Sequence, residues 1–138
     1  MQHHGRQVGP GVATTLAGLL TDPSSDVRYV ALQGLEVLGG TSLYSTAVIA
    51  RLGDRSGRIQ ALAARLSGPI GASVKTTLIP KLKGLLASTS FRVRYEAALA
   101  LKALGDKSGA ATMRADRASK NPSIAKMAAY AHKLITGV

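Results

Sequence analysis

Along this chain, apolar positions recur at helical spacing between short polar turns. Val27, Ala31, Leu35 and Leu38 lie four, four and three apart, which gathers them on one side of a helix. Runs of the same kind start at Ile59, Val93 and Ile124, at successive intervals of 32, 34 and 31 residues counted from Val27. Four residues into each run stands an alanine: Ala31, Ala63, Ala97 and Ala128. A small side chain at that place predicts a close helix crossing made four times. Each run follows another apolar segment and a turn. In "TDPSSD" the Asp and Ser oxygens suit a helix N-cap, and Pro23 discourages the preceding helix from continuing. Gly39 and Gly105 sit where a helix end favours a left-handed residue.

The pattern is also a literal repeat. "LAGLLTDPSSDVRYVALQGLEVLG" (Leu16–Gly39) lies without a gap over "LKGLLASTSFRVRYEAALALKALG" (Leu82–Gly105), 66 residues on. Val27, Arg28, Tyr29, Ala31, Leu35, Leu38 and Gly39 each meet their own kind. "LGDRSGRIQALAARL" (Leu52–Leu66) and "ASKNPSIAKMAAYAHKLI" (Ala118–Ile135) follow the same turn-then-helix grammar. Four helical hairpins at a period near 32 predict a stack in which each unit buries its apolar side against the next.

These segments resemble the HEAT and HEAT-like (phycobilisome-lyase-type) repeats. The likeness rests on an apolar first helix with an internal proline, "LIPKLKGLLAS", followed by "VRYEAALALKALGD". It covers roughly residues 10–137. It implies an all-α fold: a right-handed α-solenoid of four HEAT-like hairpins, at approximately 10–39, 41–68, 73–105 and 107–137, in one domain over 10–138. It also implies a polar ladder between repeats. Asp22 and Asp54 match the family's turn Asp, with Ser88 and Ser119 in that place elsewhere. Arg28 and Arg94 match its Arg, with Gln60 and Ala125 elsewhere. Pro80 is expected to bend the first helix of repeat three. Residues 1–9, opening "MQHHG", are expected to be a tail or tag remnant.

Composition agrees with helices: Ala and Leu abound, and the 138 residues include no Trp and one Phe. No Cys is present, which excludes disulfides, thiolate metal sites and Cys nucleophiles. No stretch is long and apolar enough for a membrane span, and no secretory segment is evident, so a cytoplasmic protein is expected, with the nucleus the other compartment open to it. Net charge is +11 and uneven. Residues 1–70 hold six Lys/Arg against four Asp/Glu, and residues 71–138 hold twelve against three, which points to an anionic partner near the C-terminal half.

No catalytic set is recognisable. His3 and His4 belong to the opening segment, and His132 stands alone as a packing histidine, so neither metal nor cofactor is expected. The serines cluster in turns, where capping explains them. "LGDRSG" and "LGDKSG" lack the spacing of a phosphate loop and suit inter-helix turns. The chain is expected not to be an enzyme.

Positions two, six and nine after each anchor lie about 180° from the apolar stripe. They are Tyr29, Gln33 and Glu36; Ala61, Arg65 and Gly68; Tyr95, Leu99 and Lys102; Lys126, Tyr130 and Lys133. The resemblance implies that second helices line a concave side, so all of these except Ala61 and Gly68 form the candidate partner-binding set. Tyr with interleaved Lys and Arg suits an acidic segment. The expected function is a non-catalytic scaffold that binds another protein through that face. The alternative is a nucleic-acid-binding module using the basic C-terminal half, resembling the HEAT-like fold of some DNA-repair glycosylases. A third, an accessory lyase acting on bilins, follows from the family name alone. The apolar first helix, with Leu16, Leu19 and Leu20 close together, adds end-to-end self-association as an expectation.

Overall fold

A computed structural model describes the backbone of residues 4–70 and 72–138 and the side chains of 11–70 and 73–138. The described residues are all-helical. α1 spans His4–Leu19, α2 Ser25–Val37, α3 Ser45–Ala50, α4 Gly57–Ile70, α5 Lys75–Leu85, α6 Phe91–Ala103, α7 Gly109–Asp116 and α8 Pro122–Thr136. Short 3₁₀ turns follow α3 at Arg51–Gly53 and precede α5 at Ala72–Val74. α1 begins at His4, inside the segment expected to be a tail; Met1–His3 lie outside the described residues. Pro80 stands in the middle of α5, and Pro69 in the last turn of α4.

The repeat is reproduced in hydrogen bonds that no apolar pattern specifies. Ser24 Oγ accepts from Val27 N at 3.4 Å, and Ser90 Oγ accepts from Val93 N at the same distance. At the other end of both helices the amide five residues on reaches back to a leucine carbonyl: Gly40 N to Leu35 O and Asp106 N to Leu101 O, each 2.8 Å. Those closures need a left-handed residue between, and Gly39 (φ +70°) and Gly105 (φ +84°) supply it.

Each odd-numbered helix packs on the even-numbered helix that follows. The even helices pack in chain order, α2 on α4, α4 on α6 and α6 on α8. Ala31, Ala63, Ala97 and Ala128 are all buried. The larger core runs from α1 to α6, with Leu32, Leu35, Val48, Ile59, Leu78, Leu82 and Leu101 closed off from water. A smaller one joins α6, α7 and α8 through Ala98, Met113, Ala128, Ala131 and Ile135. α6 serves both, with Ala97 and Leu101 in the first and Ala98 in the second. α7 lies directly on α6: a methyl added at Gly109 would stand 2.5 Å from Ala98 Cβ and 2.7 Å from its Cα.

Candidate interaction surface

Two arginine latches tie hairpins together. Arg28 on α2 donates through Nε to Asp54 Oδ2 at 2.9 Å and through Nη2 to Asp54 Oδ1 at 3.0 Å. Its Nη1 donates to the carbonyls of Asp22 and Pro23, at 2.8 and 3.1 Å. Arg51 Nη1 also donates to Asp54 Oδ2, at 2.9 Å. Burial works against the Asp54 carboxylate, yet Arg28, the Ser56 amide and Arg51 together hold its carboxyl below the usual range. The hydrogen bond to Asp54, more than any other cause, raises the Arg28 guanidinium further.

Arg94 on α6 repeats the arrangement. Its Nε and Nη2 grip Asp116 at 3.0 and 2.8 Å, and Nη1 donates to the Ser88 carbonyl at 2.9 Å. Ser88 takes the place of Asp22, so the turn contributes a backbone carbonyl in both copies. The Asp22 carboxylate accepts instead from Ser24 N at 2.9 Å. Asp116 was not apparent from the repeat. The position aligned with Asp54 is Ser119, and Asp116 stands three residues earlier at the end of α7. At the middle junction Gln60 occupies the Arg place and donates to Leu52 O at 3.1 Å.

The predicted face divides by depth. Ala61 is buried, and a methyl at Gly68 would press on Ala103 Cβ at 3.2 Å, so positions two and nine of α4 face α6. Tyr29, half-buried, carries the Arg58 guanidinium over its ring, 3.9 Å from the centroid. Glu36 grips Arg65 through two bonds of 2.8 and 3.0 Å, which raise the Arg65 guanidinium. Gln33 is exposed. Tyr95 and Leu99 pack against the smaller core, with Phe91 5.6 Å from Tyr95 ring to ring. Burial, reinforced by nearby Glu96, pushes the Tyr95 phenol up. Lys102, Lys126, Tyr130 and Lys133 are exposed.

Between α2, α4 and α6 lies an open cavity of about 270 Å³, lined by Tyr29, Arg58, Ala61, Leu62, Arg65, Arg92 and Glu96. Three guanidinium groups border it. Arg58 Nη2 reaches Asp26 Oδ1 at 3.2 Å, with both side chains largely in solvent. Arg92 Nη1 lies 3.4 Å from Glu96 Oε2. Burial raises the Glu96 carboxyl against the opposing pull of Arg92. Arg58, Arg92 and Glu96 fall outside the positions counted from the apolar stripe. Arg58 and Arg92 do share a signal, since each immediately precedes an anchor residue, as Asp26 does.

His132 is buried between α7 and α8. Its Nδ1 lies 3.4 Å from Arg117 Nη1, and its Nε2 is buried without a hydrogen-bond partner. Burial, then Arg117 and Arg114, lower its imidazole below the ordinary range. Among the described residues no group of His, Asp and Glu is placed to hold a metal ion, and no helix is long and apolar enough to cross a membrane. No protein-family model and no curated protein matches the chain.

Proposed function

We propose that the chain is a non-catalytic docking module, a right-handed HEAT-like α-solenoid of four hairpins, which holds an acidic segment of another protein along its even-numbered helices in the cytoplasm or nucleus. The observation that carries this reading is the cavity shared by α2, α4 and α6, where Arg58, Arg65 and Arg92 converge beside the Tyr29 ring. Two of these cations are loosely held. The Asp26 partner of Arg58 is 89% exposed, and the Arg92–Glu96 contact is long for an ion pair. A carboxylate from a partner can replace the exposed Asp26 carboxylate at Arg58 without breaking the core. Lys102 on α6 and Lys126, Tyr130 and Lys133 on α8 are also exposed and add three cations to the even-numbered helices. The even helices packed in chain order support the solenoid part of the proposal, as do the paired arginine latches.

The test is fluorescence anisotropy with a labelled Glu/Asp-rich peptide. R58A/R92A is expected to weaken binding about tenfold or more while keeping a cooperative thermal melt. Equal binding by the double variant removes the cavity from the proposal. A second reading, nucleic-acid binding, draws on the exposed Lys102, Lys107, Arg114, Arg117, Lys120, Lys126 and Lys133. It predicts micromolar binding to random-sequence DNA that falls steeply with salt. Absence of DNA binding at low salt eliminates it.

A further inference from the structure

The third position after each anchor is apolar in three copies of the repeat and charged in one. It is Val30 on α2, Leu62 on α4 and Met127 on α8, but Glu96 on α6. Packing asks only for an apolar side chain at that place, as Leu62 shows: it is 6% exposed and lines the same cavity as Glu96. The Glu96 side chain is only 12% exposed. A carboxylate so placed loses hydration, and its contacts compensate weakly. Arg92, one turn earlier on α6, is 59% exposed and lies at 3.4 Å, long for a charge-assisted bond. Arg65 on α4 attracts Glu96 from a distance but gives its two hydrogen bonds to Glu36 of α2. Arg58 of α4 and the Tyr29 phenol of α2 complete the polar lining, and no residue of α5, α7 or α8 takes part in it. The outcome is a carboxyl raised above its ordinary value of 4.5, with burial as the largest cause.

A carboxylate that docks beside Arg58 and Arg92 therefore enters a cavity that already holds one. Asp26, 89% exposed, can give way to it. Glu96 cannot, because its side chain is enclosed. Two carboxylates confined to one site repel each other, and a proton taken up by one of them removes the repulsion. Glu96 is the acceptor of that proton, since burial already favours its neutral form while the newcomer meets the guanidinium groups. Once protonated, its carboxyl has an O–H to donate.

Resting on the docking reading above, we infer that capture of an acidic side chain in this cavity is coupled to uptake of one proton from solvent by Glu96, whose O–H then bonds the captured carboxylate. Glu96 thereby sets the conditions under which the site holds its partner. Its affinity for protons is higher in the complex than in the free protein, so binding tightens as pH falls through the value of the complex and levels off below that of the free protein.

Fluorescence anisotropy with a labelled Asp-rich peptide tests this at constant salt, from about pH 7.5 to about pH 5, where Asp carboxylates stay largely ionised. The wild-type dissociation constant is expected to fall about fivefold across the range. E96Q, which removes the resident charge and keeps the shape, is expected to bind about fivefold more tightly than wild type at the upper end and to show a much flatter profile. The histidines titrate in both proteins and cancel in the comparison. Calorimetry of the wild type at about pH 5.5, in two buffers of different ionisation enthalpy, counts the proton without any variant. Failure of both proteins to bind the peptide removes the docking reading and the coupling with it. Wild-type binding without proton uptake, or with the same strength and pH profile as E96Q, overturns the coupling alone and leaves docking in place.

Discussion

The guanidinium of Arg28 has all three nitrogens engaged, two by Asp54 and one by the turn carbonyls of Asp22 and Pro23. Arg94 is engaged the same way by Asp116 and Ser88. The acids differ in cover: the Asp54 side chain is 1% exposed and balances two arginines, while that of Asp116 is 15% exposed and serves one. Breaking a buried pair leaves a charge without its counterion, at a cost of about 3–5 kcal/mol. Asp54→Asn is therefore expected to destabilise by an amount near the low end of that range, and Asp116→Asn by less, as compared by urea denaturation. The arginines were legible in the sequence because their place in the repeat is fixed. Asp116 was not, because a shift of one helical turn keeps a carboxylate in reach while removing it from the alignment. His132 gives a prediction in pH. Its imidazole is held below the ordinary value, so the fold favours the neutral ring. The stability this represents is fully present above the unfolded value near 6.5 and is lost as pH falls below it toward the folded value. Between pH 7.5 and 5.5 the urea midpoint is expected to drop, and to drop less in His132→Gln. Equal slopes in the two proteins would exclude His132 as the cause.

Among the elements, α7 shows how far local sequence determines local structure. "LGDRSG" and "LGDKSG" form the same turn: Asp54 and Asp106 each accept, through Oδ1, the amide of the serine two residues on, at 2.8 and 2.7 Å. A helix starts at the closing glycine in both cases. Yet one turn leads into α4, the second helix of its hairpin, and the other into α7, the first helix of the next. The Asp–Ser turn was readable; its place in the architecture depends on which apolar faces meet afterwards. The glycines differ accordingly. A methyl at Gly57 would make an ordinary contact at 3.8 Å, whereas at Gly109 it would overlap the Ala98 backbone. Gly109→Ala is expected to displace α7 and cost about 1–3 kcal/mol, while Gly57→Ala leaves stability within roughly 0.5 kcal/mol of wild type. Comparable losses in the two variants would mean that α7 does not sit this close to α6. The cavity beside Tyr29 escaped the sequence for a related reason. Arg58, Arg92 and Glu96 come together only because α2, α4 and α6 lie side by side, a relation that helical periodicity within one element cannot express.

At the scale of the whole molecule, cohesion is greatest in the middle. α4 is covered by α2, α3 and α6, and Ala61, Leu62, Ala63 and Ala64 form an unbroken buried run along it. α6 lies between α4, α5, α7 and α8 and contributes to both cores. Among the described residues α1 packs chiefly on α2, and α8 on α7 and α6, and each carries exposed apolar residues, Val12 on α1 and Tyr130 and Leu134 on α8. In the linear stack proposed above, stability is close to a sum of units and nearest-neighbour interfaces, so end units open before central ones. Amide hydrogen exchange is therefore expected to be slowest in α4 and α6, through the amides of Ala63, Ala64, Ala97 and Ala98, and faster in α1 and α8. Uniform protection from α1 to α8 would contradict the proposed linear arrangement, since it requires a core in which all the hairpins share cover equally.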